Sequence, residues 1–528
     1  MGVEDAMNAS CIARLCPQPK IIIMKRFRLN WFPLLALLLF IVSCQSEHDY
    51  KKDALKYIPD DINSLMIIDM PDLMAKADYD ALIQLPAYKR FILEAANENP
   101  TIAKVLEDPR RSGLDVNQHF YLAMQQDFLS QRSRGYKGYL AFVAAVEDKE
   151  ALEHNMSALD IQFVPASQNF GYSKVEDIHI VWNDEVLIMG AGPQESAWKR
   201  DLEAFLNTTP KNSIAKNRNL KKSLEQDFDI ANWSRIDAML KVDDENLFTS
   251  LLGIDEDDLT DNYINSYLHF RKGEVEGESY FDLKRGLTND LQLLFKDEVK
   301  TKFGKFMPGE NLVGMMAAAI DLKGINQLLI EKHVKGAGMQ KLDEFGLSFE
   351  DFVRAFSGEV AIALYATPED EATPLVVLPI EKKKRFETLL NFALDKEILV
   401  DLGNGRYALE ARSYDDGMLL RVGDMLYISN SEYLLDKIAT NRFDRGGQTI
   451  ENMANLMPDN IASAYTSSNG IALIDDAIEE MPFQEFKMIA NRKKVAFLIK
   501  MKDGDSNALW QFFNEMNKVY LREGGDKS

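Results

Sequence analysis

Cysteine is almost absent from this chain. Three occur in 528 residues: Cys11, Cys16 and Cys44. All three precede the main body, so that body has no disulfide, no thiol nucleophile and no thiolate metal ligand. A body this large can rely on its apolar core instead. Histidine is scarce too. None of the six is spaced as a helical zinc pair, and no H-E-x-x-H occurs. With no cysteine available, a zinc site would need histidines and carboxylates gathered by the fold. The G-x-S-x-G nucleophile elbow is missing. Positive charge is in deficit, with 61 Lys and Arg against 83 Asp and Glu, a net charge of −22. That balance repels nucleic-acid backbone and anionic lipid headgroups and makes both poor partner candidates. No apolar run reaches the roughly 20 residues of a membrane-spanning helix. Hydrophobic residues at 46% and aromatics at 10% still make an ordinary globular composition, not a disordered one.

The first informative positive feature is at the N-terminus. Lys25-Arg26-Phe27-Arg28 precedes an apolar run from Trp31 to Val42, and Ser43-Cys44 follows. A basic stretch, a short apolar run and a small residue before the cut form a secretory signal. With cysteine at the cut, the segment resembles a bacterial lipoprotein signal, which implies lipidation of Cys44. The alternatives, a buried core helix or an uncleaved anchor, do not account for the three features in that order. Met24 sits directly before the basic stretch, so residues 1–23 read as an over-extended start; a genuine long n-region is the alternative.

One acyl chain holds a protein to a membrane only marginally. The lipoprotein resemblance implies several chains and firm attachment, and so an outer-membrane lipoprotein on either the periplasmic or the cell-surface side. The polar stretch after Cys44, Gln45-Ser46-Glu47-His48-Asp49, reads as a tether.

The body reads as a repeat. Ile58-Pro59-Asp60-Asp61 opens a segment running through Met66-Ile67-Ile68 to Asp72, and Met307-Pro308-Gly309-Glu310 opens one running through Met315-Met316-Ala317 to Asp321. Pro59 and Pro308 stand 249 apart (308 − 59), as do Asp72 and Asp321. Later pairs keep the order. The strand Tyr139 to Val143 and a helix from Lys149 match the strand Pro374 to Leu378 and a helix from Lys383. A hairpin turning at Asn183-Asp184-Glu185 matches one turning at Gly423-Asp424. Amphipathic helices follow, with Trp198, Leu202, Phe205 and Leu206 in one stripe and Leu434, Leu435 and Ile438 in the other. Tyr280 to Lys284 and Phe497 to Lys502 close the two copies. Asn404-Gly405 marks a further hairpin. Frequent hairpins exclude a regular parallel barrel. The expected class is α+β: two tandem, structurally similar halves with antiparallel sheets, covered by helices on one face. The organisation predicted is a signal over 1–43, a lipidated N-terminus and tether over 44–56, a first α+β repeat over 57–300, a second over 301–521, and a polar tail over 522–528.

Candidate chemistry is sparse. Gly190-Ala191-Gly192 falls between a strand and a helix, but the third fingerprint glycine is Glu195, so a turn is favoured over a phosphate cradle. Asp503, Asp505 and Asn507 match the opening of a calcium loop, yet Ala508 and Asn514 replace its glycine and glutamate. Solvated turn is the favoured reading there, as for Asp255 to Asp258. Trp182, Trp198, Trp233 and Trp510 could stack on sugars; Trp182 and Trp198 lie on patterned apolar faces that suit core packing better. No catalytic, cofactor-binding or metal-ligating residue is assigned, and Cys44 is the one site residue.

Taken together, the lipoprotein signal, the Ile-Pro-Asp-Asp opening followed by Leu65-Met66-Ile67-Ile68-Asp69, the Gly113-Leu114-Asp115 step and the second copy resemble a Bacteroidota lipoprotein family, domain of unknown function 4836, over most of residues 57–521. The resemblance implies envelope localisation and a duplicated α+β body, and supplies no catalytic residue. Three functions compete. The first is a non-enzymatic binding or scaffolding module, attached to the membrane through Cys44 and able to take an envelope protein or glycan partner. The second is surface glycan or nutrient capture, which predicts an exposed aromatic platform. The third is a hydrolase with dispersed carboxylates, which predicts a deep pocket holding two of them.

Overall fold

Tight turns fix the local pairing of this chain. Asn404 and Gly405 both have positive φ, 54° and 75°, which suits a two-residue hairpin loop between right-twisted strands. Gly423, with φ 61°, turns the hairpin of the expected Gly-Asp site. Asn183 turns the matching first-half hairpin by accepting the N–H groups of Glu185 and Val186, both at 2.8 Å. The computed structural model describes residues 53–125, 139–159, 161, 164–166, 170–175, 178–191, 202, 204–239, 254, 256–331, 349–368, 372–409, 417–473 and 482–524. The signal and residues 44–52 of the expected tether lie outside them.

Ten strands occupy the first part of the described chain: β1 (Ser64–Ile68), β2 (Phe120–Gln125), β3 (Tyr139–Ala145), β4 (Val164–Ala166), β5 (Phe170–Val175), β6 (Ile178–Trp182), β7 (Val186–Ala191), β8 (Ile230–Arg235), β9 (Tyr263–Arg271) and β10 (Glu274–Asp282). Ten more follow: β11 (Leu312–Ala319), β12 (Glu359–Tyr365), β13 (Thr373–Pro379), β14 (Leu399–Gly403), β15 (Arg406–Leu409), β16 (Met418–Val422), β17 (Met425–Ser429), β18 (Ala462–Ser467), β19 (Phe483–Ala490) and β20 (Lys494–Met501). The first set pairs in the order β4-β5-β6-β7-β3-β2-β1-β8-β9-β10. The second repeats it as β14-β15-β16-β17-β13-β12-β11-β18-β19-β20. Every pairing is antiparallel.

The last strands of the two sets then join. β10 pairs antiparallel with β20, from Glu274 opposite Lys500 to Tyr280 opposite Lys494. All twenty strands therefore form one sheet, where the sequence suggested a sheet for each half. Because equivalent strands meet antiparallel, the seam has the self-complementary form of a local two-fold contact. Lys494 reaches Glu278 across it at 2.5 Å.

Helices cover both faces of the sheet, not one as expected. Alternation along β17 shows why. Met425 and Tyr427 enter a core with Phe303, Met307, Leu434, Leu435, Ile438, Met453 and Met457. Leu426 enters another core on the opposite face, with Phe386 of the helix Lys383–Asp395. In the first half, Leu65, Ile67, Tyr121, Val143, Ile188, Leu202, Phe205 and Trp233 share one core. The expected stripes at Leu202 and Phe205 and at Leu434, Leu435 and Ile438 do face these cores.

The uniform spacing of 249 breaks down at the first strand, where Ile68 opposite Ile230 matches Ala318 opposite Ala462, 250 apart (318 − 68). An irregularity between Leu312 and Gly314 shifts the register of β11. Asp69 caps the helix Met70–Lys76 by accepting the Asp72 N–H, and Asp321 accepts the N–H groups of Lys323 and Gly324. The matching caps are thus Asp69 and Asp321, 252 apart (321 − 69), and Asp72 is not the partner of Asp321. Among the described residues, no helix is long and apolar enough to cross a membrane.

Candidate functional site

Most sequence-level candidates are occupied by structural duties. Cys44, Gly192 and Trp198 lie outside the described residues. Trp182 is buried and donates to Glu153 Oε1 at 3.0 Å; Trp233 is buried, donates to Asn219 Oδ1 at 2.9 Å and stacks on Tyr263. Neither forms an exposed platform, and Trp510 is half-buried. Gly190 and Ala191 belong to β7 and pair with β3, so they form strand instead of the expected turn. Asp503 accepts the N–H groups of Asp505 and Ser506 and the Ser506 hydroxyl, while Asn507 donates to the Phe270 carbonyl. The calcium-like spacing therefore closes a turn before the helix Ala508–Gly524. Among the described residues, no group of three or more metal-ligating side chains is gathered.

The strongest electrostatic feature lies where β8 and β9 meet the helix Met70–Lys76. The Asp229 side chain is wholly buried. Lys76 Nζ bridges two carboxylates, at 2.6 Å from Asp229 Oδ1 and 2.7 Å from Asp72 Oδ2. Asp229 Oδ2 also accepts the Phe270 N–H at 2.5 Å. Burial and the hydrogen bond with Asp72 push the Asp229 carboxyl up to about 7, against the pull of Lys76. Burial also opposes ionisation of Asp72, but bonds to Asp229 and Lys76 outweigh it and hold that carboxyl below its ordinary range. Burial, with Arg271 and Lys76 nearby, lowers His269 on β9. Asp229 is thus the more readily protonated of the two carboxylates. This pair is the nearest approach to a hydrolase dyad, but it is closed on itself and belongs to no cavity described below. Among the described residues, the second half has no equivalent at the matching ladder position. Asp69 N–H bonds to the Asp229 carbonyl, whereas Ala319 N–H bonds to the Ile461 carbonyl, so an isoleucine replaces the acid.

Two cavities have chemistry worth comparing. One, of about 560 Å³, is polar and lined by Asp60, Lys216, Arg218, Asn219, Tyr263 and Asp282. It brings two carboxylates together, but Asp60 pairs with Lys216 and Asp282 accepts from Asn219. The other, of about 540 Å³, is mainly apolar and lies in the second half.

The apolar cleft is built from three separate segments. Residues 298–305 form one wall. Buried Glu359 accepts the N–H groups of Lys300 (3.3 Å) and Thr301 (2.8 Å), and buried Phe303 and Met307 anchor the chain beyond. The helix Gln448–Leu456 forms the second wall, with Ile450, Met453 and Met457 at helical spacing on its inner side. Gly304 lets the walls meet, because a Cβ there would lie 2.2 Å from Ile450 Cγ2. Met315 of β11 completes the floor. Lys300, Lys302, Lys305 and Arg445 also line the cleft, with Glu298 as its one acid. All four cations are exposed. Among the described residues, none of them makes an ion pair with a carboxylate.

The sequence reading did not single out this cleft. Its signals were the run Lys300-Thr301-Lys302-Phe303-Gly304-Lys305, basic in an acidic chain, and the methionine spacing of 448–458.

A family model, domain of unknown function (DUF4836), matches residues 55–440. The chain belongs to this family. One wall of the cleft lies within the matched DUF4836 region, and the other, from Arg445 onward, lies beyond it. The DUF4836 chain is also similar to solved structures of TP0453. Crystal form I is 14% identical, with 44% of this chain and 79% of that chain covered and a TM-score of 0.24. Crystal form III is 12% identical, with 47% and 90% covered and a TM-score of 0.25. No curated protein matches the chain.

Proposed function

We propose that this protein is a lipid-anchored cell-envelope binding module without catalytic activity, held to the outer membrane through acylated Cys44. The observation that carries the binding reading is the second-half cleft: apolar floor, cationic rim, and a volume within the range of small-molecule sites. The hydrolase reading has less support, because Asp72 and Asp229 are engaged with each other and with Lys76. Glycan capture has less support because Trp182 and Trp233 are buried. The anchoring reading rests on the order of basic stretch, apolar run and Ser43-Cys44.

Fractionation tests the anchor. Wild-type protein is expected in the membrane fraction with a modified, processed N-terminus at Cys44, and Cys44→Ala is expected to lose both. A Cys44→Ala protein that stays membrane-bound with an unchanged N-terminus would sink the anchoring reading. Protease treatment of intact and lysed cells then assigns the side. Digestion in intact cells places the body at the surface and favours capture of external molecules; protection until lysis places it in the periplasm.

A further inference from the structure

We infer that the cleft between residues 298–305 and the helix Gln448–Leu456 binds a single-chain amphiphile with an anionic head. This rests on the binding-module reading and names its ligand.

The floor selects an alkyl chain. Met315, Met453 and Met457 are buried around Ile450, and no polar side chain of these residues asks for a hydrogen bond. Methionine is unbranched and soft, so it fits flexible apolar chains of varied length. A volume of about 540 Å³ suits a small ligand.

The rim selects the head. Lys300, Lys302 and Lys305 line one wall, and Arg445 lines the other. The net charge of −22 argues against anions at long range, but salt confines that repulsion to about a Debye length, near 8 Å. The side chains that line the cleft itself carry four cations and one acid, Glu298. Glu298 is already committed, accepting the Asp459 N–H at 3.3 Å.

A peptide fits less well. Extended peptides bind by adding a strand to a sheet edge. The cleft floor is β11, already paired on both sides by β12 and β18. A fatty-acid carboxylate and a lysophospholipid share the required chemistry.

Calorimetric titration of the full chain carrying Cys44→Ala tests this, because that chain has no acyl groups of its own to compete. The probes are decanoate, dodecanoate and tetradecanoate below micelle formation, dodecanol, and lysophosphatidylglycerol. Saturable one-to-one binding is expected for the anions, tightening about two- to fourfold per added methylene. Lys300→Gln, Lys302→Gln and Lys305→Gln combined should weaken dodecanoate about tenfold or more and flatten its salt dependence. Ala454→Trp, on an exposed residue lining the cleft, should block binding while leaving circular dichroism unchanged. Binding of the fatty acids alone, or of lysophosphatidylglycerol alone, would support the inference and name the source. Equal affinity for dodecanol, or binding unchanged in both variants, would overturn it. So would tight binding of an acidic apolar peptide with none of the amphiphiles. Failure in every amphiphile arm with Cys44 anchoring intact removes the ligand class alone; loss of anchoring removes the envelope reading alone.

Discussion

Asp229 is the residue whose chemistry departs furthest from its composition-level reading. In an acidic chain most carboxylates are solvated, but this one is wholly enclosed and shares hydrogen bonds with Asp72, Lys76 and the Phe270 N–H. Its folded-state titration at about 7 lies above the ordinary carboxylate value, so the native state holds a proton that the unfolded chain has lost. The associated stability is present at low pH and is lost as pH rises from about 4 to about 7, an effect on the order of 4 kcal/mol. Asp229→Asn mimics the protonated acid and should remove this slope while keeping the fold. Asp229→Ala should cost about 3 kcal/mol, because it leaves the Phe270 N–H without an acceptor and half-buried Lys76 with Asp72 alone. Urea unfolding at several pH values separates the two. An Asp229→Asn slope equal to wild type would show that another group carries it. None of this was legible in the sequence. Asp72 and Asp229 are 157 residues apart, and each alone looks like any solvated acid.

At the scale of elements, short-range chemistry was readable and long-range contact was not. Asn404-Gly405 and Gly423-Asp424 turn where expected, because positive φ is a local demand that those residues meet. The stripe Leu434, Leu435 and Ile438 found its core because helical period alone places those side chains together. Helices on the second face were missed, since which helix lands on which face depends on distant segments. Gly324 shows the same limit. In a helix its expected effect is a loss of about 1 kcal/mol relative to alanine. Here a Cβ would lie 1.9 Å from the Leu293 carbonyl oxygen, so the helices Arg285–Leu294 and Leu322–Glu331 approach through it. Backbone cannot yield as a side-chain tip can. Gly324→Ala is therefore expected to destabilise by about 1–3 kcal/mol despite the better helix former. A stabilising result in urea unfolding would mean that the two helices separate freely.

The whole molecule depends on the seam. Order within each half could be read from repeated patterns, but pairing of β10 with β20 joins residues more than 200 apart and has no local signal. One continuous sheet predicts one cooperative unfolding transition by calorimetry. Val495→Pro, opposite Ser279 in β20, removes a ladder hydrogen bond of the seam itself. It should split that transition in two or lower it sharply. An unchanged single transition would show that helix packing, not the strand seam, couples the halves. The cleft was illegible for the same reason as the seam: its walls come from 298–305 and 445–458, brought together only by the completed sheet.

The two-fold form of the seam has a genetic consequence. In a dimer of identical chains, every substitution is written twice, so a cleft or a buried acid gained on one side must be tolerated on the other. Here the two sides of the axis are encoded by different codons. Asp229 can stand where its counterpart is Ile461, and a methionine-floored cleft with a lysine rim can occupy one side while the other keeps a polar pocket. The covalent link preserves the symmetric contact and frees each half to specialise.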